Sequence, residues 1–349
     1  MTLSQTAVIT KQIITFSIIF LVLGLLSFIS YKIWYAYYLA HLPVKEPTPD
    51  TRFGVLPVPD FPQKEVSTSN FTYSIDTTTG NLPKLGINEG FDKIINVYFI
   101  TKTYATLLSS QKSEGLANKF GIQIKPQILS DTNYLYQDGN KSLNVNLDNG
   151  NFIYINETSD SAKATLDNNN KLVNDFQNLL SSLGVFKNEL KKGRTRIVPL
   201  RKDGNQLIPT TLRTEADAVQ ISLWPESIDK KPLLTSDFSR SLVNAIVTKT
   251  ASNINDYLAL NFIFWPVDLT TFATYPAKSP DQALDDLKSG KGVVVMNPPK
   301  PQVSINSVYF AYFMPDNYSS YLQPIYVFEG SNFAAYVSAV NSQFQSPAN

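Results

Sequence analysis

The sequence predicts an α+β fold: an N-terminal transmembrane helix, then antiparallel sheets with helices packed on their faces. Three observations predict it. The window from Gln12 to Tyr31, QIITFSIIFLVLGLLSFISY, carries no charge. Beyond it, short apolar runs end in Asp-Gly or Asn-Gly pairs, which accept the positive φ of tight hairpins. Apolar residues at helical spacing recur three times among those runs, which suggests repeated helix–β–β–β units.

Residues 1–11 read as a short tail and 12–34 as the anchor. About 20 apolar residues at 1.5 Å rise span the hydrocarbon core of a bilayer. Lys32 stands at the helix end, where its stem can snorkel, and Trp34, Tyr35, Tyr37 and Tyr38 form an aromatic belt suited to the headgroup layer. The apolar run is too long for a cleaved signal sequence, and Tyr38 stands where a small-x-small cleavage site before Ala40 would need a small residue. Lysine and arginine do not favour a cytoplasmic N-terminus: Lys11 flanks one side, and Lys32, Lys45 and Arg52 the other. Long domains translocate largely regardless of charge, so the expected arrangement is a single-pass plasma-membrane protein with an extracytoplasmic C-terminal part.

Residues 35–68 complete the belt and form a spacer, stiffened by Pro43, Pro47, Pro49, Pro57, Pro59 and Pro62. Phe53, Val55, Leu56 and Phe61 are too apolar for a free linker, so the second half of the spacer should pack on the folded domain beyond it. A first α+β domain is expected over 69–158: strands near 71–81, 94–100, 127–137, 142–147 and 151–156, and a helix over 104–119. A second is expected over 159–349. It opens with a helix over 161–184 and strands near 195–200, 206–212, 217–224, 241–249 and 257–267. A helix then begins at Ser279, where Ser279, Pro280 and Gln282 make an N-cap, a proline first turn and a capping box. Strands follow at VVVM and near 303–313, 322–328 and 333–340.

Composition removes several function classes. The chain of 349 residues has no cysteine, which excludes disulfides, thiolate metal sites and thiol catalysis. Its one histidine, His41, adjoins the anchor. A net charge of +1 argues against a nucleic-acid partner. Ser109/Lys112 and Ser227/Lys230 form S-x-x-K pairs, and Lys249-Thr250-Ala251 loosely resembles K-T-G, but the glycine is missing. Asp281, Asp285 and Asp286 share a short helix, where Asp281 complements the positive N-terminus and the others solvate the exposed face. Asp148-Asn149-Gly150-Asn151 and Asp167-Asn168-Asn169-Asn170 lack calcium-loop spacing and read as turns. No cofactor or metal is expected, and no catalytic residue. Aromatic residues crowd the last strands. Alternation puts Tyr309 and Phe313 on one face and Phe310 and Tyr312 on the other. This is a two-sided sheet core or, with Phe310, Tyr312, Tyr318 and Tyr321 exposed, a surface for a partner.

The runs SPDQALDDLKSGKGVVV, VSINSVYFAYFMP, YLQPIYVFEG and FAAYVSAV, between Ser279 and Val340, resemble the YycH/YycI regulators and related PepSY-like modules. The single N-terminal anchor matches their layout. The resemblance implies a non-enzymatic extracytoplasmic module that binds and regulates a membrane or envelope protein, such as a sensor kinase, through helix contacts in the bilayer. It carries over no functional residue. The alternatives are a structural component of an envelope assembly and an envelope hydrolase built on carboxylates.

Overall fold

The computed structural model describes residues 3–41, 48–63, 66–85, 91–157, 166–248 and 250–346. The chain divides into two compact units, Met1–Thr48 and Pro49–Asn349. Among its described residues the first holds one helix, α1 (Leu3–Ala40). Within it, Thr10–Leu39 is long and apolar enough to cross a membrane. The helix exceeds the expected 12–34 at both ends. Residues read as tail and as belt continue the same helix, because no proline interrupts it.

The second unit runs through β1 (Thr72–Ile75), β2 (Ile94–Ile100), α2 (Ser109–Lys119), β3 (Gln127–Ser130), β4 (Asn133–Asp138), β5 (Lys141–Asn146) and β6 (Phe152–Asn156). Then come α3 (Asn169–Leu183), α4 (Asn188–Lys192), β7 (Thr195–Asp203), β8 (Gln206–Pro209), β9 (Ala218–Leu223), β10 (Leu233–Leu234), β11 (Val243–Val247), β12 (Tyr257–Phe262) and β13 (Val267–Pro276). The last elements are α5 (Pro280–Lys288), β14 (Val293–Met296), β15 (Gln302–Phe313), β16 (Tyr321–Gly330) and β17 (Phe333–Ser338). A helix followed by antiparallel strands thus occurs three times, led by α2, by α3 with α4, and by α5.

Among the described residues these strands form two sheets, of nine and eight strands. The nine-stranded sheet is antiparallel throughout, in the order β3-β4-β5-β6-β12-β11-β9-β7-β8. The first two helix-led units meet in it where β6 pairs β12, Phe152 opposite Phe262. Alternation sends Tyr136, Leu143, Val145, Phe152 and Tyr154 to one face, against Leu116 and Ala117 of α2 and Leu172, Phe176, Leu180 and Leu183 of α3. Asn168 caps α3 by accepting from Lys171 N, and Gly184 ends it at φ 80°.

The eight-stranded sheet centres on β15 and β16. β1 and β10 lie parallel to opposite ends of β15. β16 carries β17 along Ile325–Gly330 and β2 at Tyr321–Leu322, so the sheet forks, with β14 beyond β17 and β13 beyond β2. Ala283, Leu284 and Leu287 of α5 cover Phe310, Tyr326, Phe328, Ala335 and Val337 on one face. Tyr309, Ala311, Phe313, Ile325, Val327 and Tyr336 fill the other. The capping box of α5 is present, Ser279 accepting from Gln282 N and Gln282 from Ser279 N.

The expected division at 158/159 does not hold. It would cut both sheets, because β6 pairs β12 and β2 pairs β13 and β16. The chain starts the eight-stranded sheet, leaves to build the nine-stranded one, and returns. Residues 50–61 pack on this body as expected. Leu56 is fully buried, Phe53 lies 5.0 Å from Tyr321 and Phe61 5.1 Å from Phe313, ring to ring, while Val55 stays exposed. Leu56 N donates to Phe344 O, and Ser346 N donates to Leu56 O.

Candidate functional site

The interface residues of the anchor all lie on α1. Trp34, Tyr35, Tyr37 and Tyr38 are exposed, as are the large apolar side chains from Ile13 to Leu39. Trp34 stacks on Tyr38 at 5.6 Å and Tyr31 on Tyr35 at 6.0 Å, the one-turn spacing of a helix face. The Lys32 ammonium sits 5.6 Å from the centre of the Phe28 ring, a cation–π contact inside the helix.

Of the two readings of the aromatic-rich last strands, the two-sided sheet core holds and the partner surface does not. Phe310 and Tyr312 are buried, at 6% and 0% exposure. Both point into covered layers, Phe310 beneath α5 and Tyr312 toward Tyr98 and Leu233. Alternation places them on one face, as expected, but that face is core. Tyr321 and Tyr318 are half-buried, and Tyr318 belongs to a different feature.

That feature is a cleft of about 410 Å³ where the free face of the nine-stranded sheet meets elements of the eight-stranded one. Because Tyr136, Leu143, Val145 and Phe152 face the helices, Asn133, Asn144, Asn146 and Ile153 must face the other way. Register brings them together, Asn133 opposite Asn146 and Asn144 opposite Ile153. Asp148, Asn149 and Asn151 follow on the β5–β6 turn, with Thr101–Thr103 after β2, Trp265 after β12, and Asp316, Asn317 and Tyr318 on the β15–β16 loop. Trp265 and Tyr318 meet edge to face at 5.9 Å. The Lys102 ammonium lies 5.7 Å from the Tyr318 ring centre and 5.3 Å from that of Tyr104.

Backbone donors orient the carboxamides of this cleft. Asn146 Oδ1 accepts from Asp148 N and Asn149 N, Asn149 Oδ1 from Asn151 N, and Asn151 Oδ1 from Phe264 N. A backbone N–H only donates, so each of these amides must turn its oxygen to the protein. Asn146 Nδ2 then donates to Asn133 Oδ1 at 3.2 Å. Asn151 is 7% exposed, and its Nδ2 has no acceptor among the described residues.

A second cavity, of about 480 Å³, adjoins the 225–231 turn and includes Tyr98, Glu189, Glu226, Ser227 and Asp229. Asp229 and Lys230 take left-handed φ values of 51° and 61° between Ile228 and Lys231, which pair across a tight hairpin. The Asp229 carboxylate accepts from Tyr98 Oη at 2.6 Å, Asn96 Nδ2 at 2.9 Å and Tyr312 Oη at 3.1 Å. Burial and the adjoining carboxylate push the Tyr98 phenol up to about 12, and the same causes drive Tyr312 higher. The turn therefore ties β2 to β15.

The S-x-x-K serines serve other ends. Ser109 Oγ accepts from Thr106 N and closes the loop into α2, which starts at 109 rather than 104. Ser227 precedes the left-handed pair. Lys249 lies outside the described residues. Asp286, expected to be solvated, instead pairs with Lys278 at 2.9 Å and Lys291 at 3.0 Å. Burial opposes its ionisation, and the two ammonium groups outweigh burial and hold its carboxyl below the ordinary range. Asp268 falls to about 2 through bonds from Thr270 and Thr271. Neither carboxylate lines the asparagine cleft or the cavity beside Asp229. Among the described residues, no group of three or more His, Asp or Glu side chains is placed to hold a metal ion.

No protein-family model matches the chain, and no curated protein matches it significantly. Among solved structures it is similar to an uncharacterized protein from Eubacterium rectale, at 10% identity and a TM-score of 0.35, over 78% of this chain and 95% of that one.

Proposed function

We propose that the chain is a single-pass, membrane-anchored binding and regulatory module of the cell envelope, non-enzymatic, acting through a protein partner in or at the membrane. The observation that carries the reading is the α1 span. Thr10–Leu39 presents apolar side chains on every side, and the polar-edged rings of Trp34, Tyr35, Tyr37 and Tyr38 gather in its last turns. Such a helix holds 49–349 at a bilayer. The resemblance of 279–340 to YycH/YycI regulators and PepSY-like modules supports regulation over catalysis.

Protease treatment of intact cells stripped of outer barriers should degrade 49–349 and spare α1. A shielded body would overturn the orientation. Photocrosslinkers placed along α1 should capture one discrete membrane protein, and exchanging α1 for an unrelated span should abolish the capture. Capture that survives the exchange would remove the bilayer from the mechanism.

A further inference from the structure

The second unit exposes its apolar side chains unevenly. Among the described residues, half of the large apolar side chains exposed on 49–349 fall within 104–129: Tyr104, Leu107, Leu108, Ile124, Ile128 and Leu129. The first three sit on the loop from β2 to α2. Leu107 is fully exposed, and Tyr104 and Leu108 are more than half exposed. Hydrogen bonds hold the loop in this posture. Ala105 N donates to Asp148 Oδ1, Thr106 N to Ser109 Oγ and Ser109 N to Thr106 O. The other three residues follow α2. Ile128 lies opposite Tyr134, which packs on the core beneath α2, so Ile128 faces the α2 side of the sheet. Exposed apolar side chains gathered in one segment mark an interaction surface, whereas single ones scattered over a monomer do not.

Charge and tether select the occupant. Residues 101–129 carry four exposed lysines, Lys102, Lys112, Lys119 and Lys125, against one carboxylate, Glu114. The chain as a whole is nearly neutral, at +1. Leucine beside a polar-edged tyrosine suits the membrane–water interface, and clustered lysines attract anionic headgroups. His41 and Asp50 are nine residues apart, a span of at most about 30 Å. Whatever the disposition of the two units, an inserted α1 keeps the second one within that reach of a bilayer. A loop contact too weak to recruit a free protein is then sufficient, because the tether makes it intramolecular.

We propose that residues 104–129 form a second membrane contact. Leu107 and Leu108 enter the boundary between headgroups and acyl chains of an anionic bilayer, Tyr104 lies at headgroup level, and Lys112 and Lys125 pair with lipid phosphates. The proposal rests on α1 being a membrane span, and it adds the surface by which 49–349 meets the lipid.

The chain has no cysteine, so Leu21→Cys, Leu107→Cys, Leu108→Cys and Leu212→Cys each give one site for a nitroxide label. All four leucines are exposed, so labelling leaves the core intact. The full chain is reconstituted into phosphatidylcholine vesicles with and without phosphatidylglycerol. Paramagnetic resonance then compares the accessibility of each label to oxygen, which concentrates in lipid, and to a water-soluble nickel chelate. The label at residue 21 reports the anchor alone and should read as lipid. Labels at 107 and 108 should also read as lipid in the anionic vesicles, with an oxygen-to-nickel ratio severalfold above that at 212, which should read as water. Lys112→Gln and Lys125→Gln should each lower the docked-to-undocked ratio about fivefold. Labels at 107 and 108 in water, with 21 in lipid, would overturn the contact and leave the anchor standing. A label at 21 in water would overturn the anchor and the proposal with it. Dipolar broadening between labels at 107, in place of lipid contact, would put a second copy on this surface and overturn the proposal as well.

Discussion

Replacing Asp286 by alanine isolates an ion pair that is nearly withdrawn from water. Lys278 and Asp286 are 8% and 13% exposed, with Nζ and Oδ2 2.9 Å apart. Lys291, the second partner, is 69% exposed. The exposed arm contributes under about 1 kcal/mol. Removing the carboxylate, by contrast, leaves the Lys278 ammonium buried without its counter-ion, a loss of about 3–5 kcal/mol in comparable sites. The expected cost of Asp286→Ala is therefore about 3 kcal/mol, toward the lower end, because the Lys291 side opens to solvent. The double variant Lys278→Met, Asp286→Leu removes both charges and should cost about 1 kcal/mol or less.

Urea denaturation of the full chain in detergent, followed by the fluorescence of the buried Trp224 and Trp265, measures both variants. The pH dependence supplies a second check. The folded carboxyl titrates below its ordinary value. Its stabilisation is therefore complete above the unfolded pKa of about 3.9 and fades as pH falls through the folded value. The gap between wild type and Asp286→Ala should hold from neutrality down to about pH 5 and narrow below about pH 4. A cost under about 1 kcal/mol, or a double variant as unstable as the single one, would refute the reasoning.

Other substitutions probe separate features. Gly193→Ala should prevent folding or cost about 3 kcal/mol or more in the same urea assay, because its Cβ would lie 1.7 Å from the backbone oxygen of Trp224. Ser279→Ala removes the capping box of α5 and should cost about 1 kcal/mol, read as a shift in the urea midpoint without a change in slope. Asp229→Ala leaves the Tyr98 hydroxyl without an acceptor, while Tyr312 Oη keeps Asn96 O at 3.2 Å, and should cost about 2 kcal/mol. Asp229→Asn keeps an acceptor and tolerates the left-handed turn, so it should cost about 1 kcal/mol; equal losses in the two variants would count against the network.

Local chemistry is legible in the sequence where it acts within a few residues. Ser279 and Gln282 announce the start of α5, Gly184 the end of α3, and Asp138-Gly139 the β4–β5 hairpin. Strand β2 is read residue for residue, because Ile94–Ile100 is bounded by polar residues on both sides. Pairing between distant strands leaves no such mark. Nothing in Ile94–Ile100 says that it lies beside Val267–Pro276, so the sequence suggests a domain boundary where the chain only changes sheets. Short elements inside loops, β10 and α4, carry too few residues for a periodic signal. Of the expected aromatic surface, Tyr318 reaches a cleft, but Phe310 and Tyr312 close onto core because both faces of β15 are covered. Asn149 and Asn151 belong to a stretch read as a turn, while Asn133, Asn144 and Asn146 fall within expected strands. Their convergence depends on the register of β4, β5 and β6, and neutral amides have no charge pattern to betray it.

The segment after the spacer bears on how this body meets mechanical load. Thr274 N donates to Asp50 O, Tyr275 Oη to Gly54 O, and residues 344–346 grip Leu56 from both its amide and its carbonyl. Tension arriving along the chain before residue 50 is therefore grounded in β13 and in residues 344–346 before β1 feels any of it. Residues 50–56 work as a clasp between tether and sheet. A pull on the tether strains the closing residues of the eight-stranded sheet first.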